Sequence, residues 1–178
     1  MEIIETSLEG CFQIRPFFAE DRRGTFVKTF HSEQFAARQF PTIWREEYYS
    51  ASRKGVVRGM HFQLPPHDHE KLVYCMLGKV LDVIVDLRRA SRTFGQHIAL
   101  ELDGARGDGL LIPKGMAHGF LALSEDAMMA YKVSTVYAPS HDAGIRWDSI
   151  GMDWGIDNPI VSDRDRDHPA LADFNSPF

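Results

Sequence analysis

A chain of 178 residues, 44% hydrophobic, 25% charged and 11% aromatic, has the composition of a globular protein and the length of a single domain, 1–178. A formal net charge of -5 excludes a protein whose affinity rests on a broad basic face, so no nucleic-acid or membrane partner is expected. The two cysteines, Cys11 and Cys75, stand far apart in no metal-ligand spacing, which predicts reduced thiols and neither a disulfide framework nor a zinc knuckle. No basic, apolar leader and no apolar run of ~18 residues occurs, so a soluble cytoplasmic protein is expected.

In chain order, Ser32 reads as the N-cap of a short helix carried through 33–40 and stopped by Pro41. A strand over 56–63 contains Arg58 and His61, whose odd spacing puts them on opposite faces unless Gly59 marks a bulge. From Lys71 the pattern becomes short strands: 72–77, a Gly78-Lys79 turn and 80–87, read as a hairpin, with Asp82 and Asp86 interrupting a β-branched run. Further strands are expected over 97–102, 109–113, 119–123 and 128–136, punctuated by Gly and Pro. The tail after Trp147 reads as loops and short helices. This is a mainly β chain, an antiparallel sandwich or barrel with a few short helices.

Several of these residues can do chemistry. Arg58 beside Gly59 is either a two-point phosphate clamp or a surface ion pair, and spacing leaves both open. The His67-Asp68-His69 stretch raises the question of a metal. However, residues 71–78 resemble the cupin strand whose first position is a metal-binding glutamate, and here that position is Lys71. An ammonium repels a cation and has no lone pair, which turns the site toward stabilising an anion or an enolate. After Pro65-Pro66, His67 and His69 read as solvated loop residues. Tyr137 at a strand end is either a core phenol or one aimed into a barrel mouth. The acids of 163–167 are a solvated charge run, or one of them orients an imidazole.

Together these segments resemble the dTDP-4-dehydrorhamnose 3,5-epimerase family. The matching residues are Asp21-Arg22-Arg23-Gly24, Val57-Arg58-Gly59-Met60-His61-Phe62-Gln63, Lys71-Leu72-Val73, Asp86-Leu87-Arg88, Ser91-Arg92-Thr93-Phe94-Gly95, Ile112-Pro113-Lys114-Gly115, Ala117-His118-Gly119-Phe120, Tyr137-Ala138-Pro139 and Ser162-Asp163-Arg164-Asp165. The resemblance implies a cupin-like jelly-roll barrel, a homodimer with exchanged N-terminal strands, a nucleotide-sugar substrate and catalysis without cofactor or metal. It implies His61 as base, Asp165 as its carboxylate, Tyr137 as general acid and Lys71 near the C4 carbonyl. Arg23 and Arg58 would meet the diphosphate, Arg23 serving the neighbouring subunit's site, with His118 and Gln63 in the pocket.

The chain departs from the family pattern at Lys28, where a glutamate is usual, and at Glu46-Glu47-Tyr48-Tyr49-Ser50, where Gln-Asp-Asn-His-Ser is familiar. Lys28, Glu46 and Tyr48 are therefore expected to bind substrate at the nucleoside end, which opens a CDP- or GDP-linked sugar beside dTDP. Two rival readings are a metal-dependent cupin oxygenase or isomerase using His61, His67, His69 or His118, and a sugar-nucleotide binding module without catalysis.

Overall fold

The computed structural model describes residues 1–178. Its strands are β1 (Glu2–Glu5), β2 (Phe12–Arg15), β3 (Phe17–Asp21), β4 (Gly24–Lys28), β5 (Glu46–Arg53), β6 (Val57–Gln63), β7 (Lys71–Leu77), β8 (Lys79–Asp86), β9 (His97–Asp103), β10 (Gly109–Ile112), β11 (Met116–Ala122), β12 (Asp126–Val133) and β13 (Asp142–Gly144). Two one-turn helices, α1 (Ser32–Ala36) and α2 (Asp163–Arg166), and two 3-10 turns complete the list. No helix is long and apolar enough to cross a membrane.

A six-stranded antiparallel sheet runs β1-β2-β10-β7-β12-β5, and a five-stranded sheet runs β13-β6-β11-β8-β9. The mainly β, cupin-like jelly roll expected from the sequence is the fold. Alternation assigns the faces. On β8, Val80 and Ile84 enter the cluster between the sheets with Val73, Cys75, Phe120 and Met129. Val83 and Val85 face the other way, onto Ile145, Trp154 and Val161 of the tail. The tail thus covers the outer face of the five-stranded sheet. Phe35 of α1, with Phe30, Phe40 and Trp44, covers that of the other. Each such buried aliphatic or aromatic side chain contributes roughly 1.5–3 kcal/mol of transfer free energy.

Three expectations are corrected. Residues 72–87 are not a hairpin: β7 pairs with β10 and β12, and β8 with β9 and β11, so the chain crosses between sheets at Gly78. Gly78 sits at φ +69 where an added Cβ would overlap the Asp126 carbonyl, so this crossover needs glycine. The helix begins at Ser32 but its N-cap is His31, whose side chain makes no capping bond, and it ends after one turn at Ala36. Hydrophobic pattern does not locate strands β1 to β5 and β13, although the resemblance implies strands at the N-terminus, because they are short or carry charges on an exposed face; β3 is exposed along its whole length.

The ribbon β3-β4 pairs with no other strand of the chain. It presents Phe17, Phe18 and Phe26 to solvent, the last 59% exposed.

Candidate active site

The problem of Arg58 and His61 is resolved by a bulge. His118 of β11 lies opposite His61 and Phe120 opposite Arg58, so Gly59 and Met60 together face the single residue Gly119. The extra residue restores the phase: Val57, Met60 and Phe62 point to the outer cluster, while Arg58, His61 and Gln63 line a cavity between the sheets. Gly59 takes φ +128, and a Cβ there would lie 2.5 Å from the Cα of Gly119. This close approach is why the motif carries glycine at both positions.

The cavity has a volume of about 390 Å³. From the five-stranded sheet it receives Arg58, His61, Gln63 and His118, and from the six-stranded sheet Glu46, Tyr48, Ser50, Lys71 and Tyr131. Tyr137, Asp142, Arg164 and His69 close its mouth.

His61 Nε2 lies 2.7 Å from Asp165 Oδ1. The other carboxylate oxygen accepts the Gly59 N–H at 3.0 Å, so the bulge also orients the acid. Asp165 stands in the first turn of α2, whose Ser162 cap accepts the Asp165 N–H. Burial alone would raise the Asp165 pKa, but the His61 hydrogen bond and charge, with the Gly59 N–H, bring it down to about 2. An ionised Asp165 can only accept, so Nε2–H donates the hydrogen bond to it, which leaves the lone pair of the imidazole on Nδ1. Burial lowers the pKa of His61, with Asp165 opposing, so the ring is neutral at neutral pH.

Lys71 is 7% exposed and its ammonium donates to the His61 carbonyl at 3.1 Å. Burial lowers its pKa to about 8 against the pull of Asp142 and Asp82. A positive charge in so dry a place acts strongly on any anion formed beside it. His118 is held by Asp82, with Nε2 at 2.8 and 3.0 Å from its two oxygens. Asp82 is one of the two acids that interrupt the β-branched run of β8, and it is fully buried beneath His118.

Arg58 hydrogen-bonds the Ser52 hydroxyl (2.9 Å) and the Ala51 carbonyl (3.1 Å), not a carboxylate, so it is not a surface ion pair. Gln63 lines the cavity, yet both ends of its amide are used internally, accepting the Ala138 N–H at 2.6 Å and donating to the His67 carbonyl at 2.8 Å. Tyr137 is 55% exposed and donates to Asp142 at 3.2 Å. Glu46 and Tyr48 line the cavity. Arg23 and Lys28 do not: both lie on or beside the ribbon, and Arg23 pairs with Asp21. The expectation of solvated loop histidines is corrected for His69, which lines the cavity with a buried, unpartnered Nε2. Burial lowers its pKa to about 3.

Sequence reasoning missed Tyr131. It is buried, packs its ring flat against Tyr48 at 4.8 Å and edge-on to His118 at 6.1 Å, and shares a 3.1 Å hydrogen bond with Ser50. Its signal was available in the period of two: Ala127, Met129 and Tyr131 share the inward face of β12.

The metal-oxygenase donor set is not gathered. Among His, Cys, Asp and Glu, the cluster whose donor atoms converge is His61, Asp165 and His168, not His61 with His67, His69 and His118.

The family model for dTDP-4-dehydrorhamnose 3,5-epimerase matches residues 5–173. The chain belongs to the dTDP-4-dehydrorhamnose 3,5-epimerase family. This epimerase, an isomerase, is 37% identical over 178 residues to the dTDP-4-dehydrorhamnose 3,5-epimerase of Shigella flexneri, covering 97% of both chains. It is similar to the crystal structure of a dTDP-4-dehydrorhamnose 3,5-epimerase from Bacillus anthracis with TDP and PPi bound (TM-score 0.92, 35% identity, 96% of this chain and 99% of that one). It also resembles a 3'-monoepimerase from Streptomyces bikiniensis, solved with dTDP as a double mutant replacing one histidine and one tyrosine (TM-score 0.89, 30% identity, 95% and 87% covered).

Proposed function

We propose that this epimerase inverts C3, C5 or both of a dTDP-linked 4-keto-6-deoxyhexose, with His61 as the base. The observation that carries the reading is the 2.7 Å His61–Asp165 pair, set in one cavity with a buried ammonium and a buried phenol.

His61 Nδ1 takes the proton from the carbon beside the ketone, and Asp165 stabilises the resulting imidazolium. The electron pair of the C–H bond moves onto the C4 oxygen, where Lys71 meets the enolate charge. Inversion then needs a proton from the other face. His61 projects from the five-stranded sheet and Tyr131 from the six-stranded sheet, so the base and this phenol face each other across the cavity. Burial raises the pKa of Tyr131, which keeps its proton in place for donation. The cycle leaves an imidazolium and a phenolate, and exchange with solvent restores both.

Tyr131 therefore competes with Tyr137 for the acid role, and we favour Tyr131. The histidine and tyrosine replaced in the Streptomyces bikiniensis 3'-monoepimerase are seventy positions apart, as are His61 and Tyr131. Tyr137, exposed at the mouth and tied to Asp142, would close over the bound sugar. Arg58 takes the diphosphate, with its guanidinium pre-oriented by Ser52 and Ala51.

The reading includes a homodimer in which the β3-β4 ribbon packs on a second copy. It is supported by three exposed phenylalanines on a ribbon with no partner strand. Arg23 and Lys28 would then act beyond their own cavity. Incubation with dTDP-4-keto-6-deoxyglucose in heavy water tests the whole reading: deuterium should enter beside the carbonyl, and none should enter with His61→Ala. Exchange that persists in that variant removes His61 from the role of base. Running CDP- and GDP-linked analogues in parallel reads the nucleotide; preference for either would overturn dTDP.

A further inference from the structure

The dyad has a second neighbour that the reaction does not use. His168 follows α2 and turns its ring toward Asp165, with Nε2 4.0 Å from Oδ1. Its ring stands edge-on to that of His61, with centroids 5.9 Å apart. The ring fills the volume beside Gly144 that any larger residue there would need. Its Nε2 is buried without a hydrogen-bond partner, an arrangement that costs about 1–3 kcal/mol unless something occupies it.

We propose that His61 Nε2, Asp165 Oδ1 and His168 Nε2 form a binding site for a divalent transition metal of the Zn²⁺ class. Two imidazoles and one carboxylate are a donor set that Zn²⁺ takes, with water in the fourth position. The three atoms already lie within 4.8 Å of one another. Bonds of about 2.0–2.1 Å put tetrahedral donors about 3.3 Å apart, so the His168 ring must move inward by roughly an ångström while the dyad opens slightly. Asp165 keeps its second oxygen on the Gly59 N–H throughout. The Arg164 guanidinium, 3.6 Å from Asp165 Oδ1, opposes the ion, but it is also paired at 3.0 Å with Asp142.

Binding releases the Nε2 proton of His61 to solvent, as metal binding to a protonated donor must. A metal on Nε2 withdraws electron density from Nδ1 and takes over the carboxylate that supports it. The bound ion therefore inhibits the enzyme. This consequence rests on His61 being the base, whereas the binding site does not.

The test is a Zn²⁺ titration of chelator-stripped enzyme against a chromophoric chelator, with ¹⁵N-histidine spectra recorded in parallel. One ion per chain is expected, with the Nε2 signals of His61 and His168 shifting together. His168→Asn should weaken binding at least tenfold, keep metal-free turnover within a few-fold of wild type, and escape Zn²⁺ inhibition. Absence of stoichiometric binding overturns the site, as does unchanged affinity in His168→Asn. So does movement of the His67, His69 or His141 signals instead, a reading the wild-type spectra supply even if the variant fails to fold. Binding as described without any loss of turnover upholds the site and overturns His61 as the base.

Discussion

The imidazole of His61 and the carboxylate of Asp165 meet at 2.7 Å although 104 residues separate them in the chain. His61 comes from the bulged strand β6 and Asp165 from a one-turn helix, and the bulge glycine donates its own N–H to the same carboxylate. Removing the charge should leave this frame standing, because asparagine can still accept from Gly59. Asp165→Asn is expected to lower kcat by about 10²–10⁴-fold, the usual worth of an assisted general base. Solvent deuterium uptake and product formation should fall together; unchanged uptake would show that the carboxylate does not support the base.

Epimerisation should follow a bell-shaped pH profile. His61 must be neutral, and burial lowers its pKa, so the acid limb falls below the ordinary histidine range. Lys71 must be charged, and its pKa is about 8, so activity is lost as pH rises through about 8. A plateau extending beyond pH 9 (roughly one unit above that limb) would exclude the ammonium from the rate.

Lys71 also costs stability. Its pKa is depressed from 10.5 to about 8 in the fold, so between those values the unfolded chain binds the extra proton and stability rises with pH. Lys71→Met should therefore be almost inactive yet more stable at neutral pH, by something on the order of 3 kcal/mol. Denaturant unfolding at pH 7 and pH 10.5 checks the sign: the gain should shrink toward the higher pH.

The two phenols are separable by partitioning. With Tyr131→Phe, His61 should still exchange the substrate proton with solvent and return it to the same face, so deuterium enters without inversion. Product formation should fall at least 100-fold, the low end of an acid catalyst's contribution. Tyr137→Phe should cost less than about tenfold by the same measure. The reverse ranking in an NMR time course would return the acid role to Tyr137.

Gly59→Ala should fail for a geometric reason. The residue sits at φ +128 and its Cβ would press on Gly119, a strain of about 1–3 kcal/mol before any clash is counted. Relief would straighten the bulge and turn His61 or Arg58 out of the cavity. Thermal unfolding and activity should both fall; a stable, fully active variant would show that the bulge is not needed to bring the two side chains together.

How much of this was legible in the chain depends on distance. Apolar alternation and Gly/Pro punctuation located most of the strands from β6 to β12, because a strand's two faces are written locally at a period of two. Lys71 in place of an acid could likewise be read from a single position. Partnership could not. Residues 72–87 look like a hairpin locally, yet β7 and β8 belong to different sheets, since which strands pair is set by long-range packing rather than by the turn between them. The acids of 163–167 look solvated, and only docking of α2 on β6 buries Asp165 to 3% exposure. The sequence by itself determined a β fold, its family and the residue types of the site. The tertiary structure decided that Gly59 bulges so that Arg58 and His61 share a face, that Asp165 meets His61, and that Tyr131 lines the same cavity as His61, because each of these joins segments whose local patterns carry no record of one another.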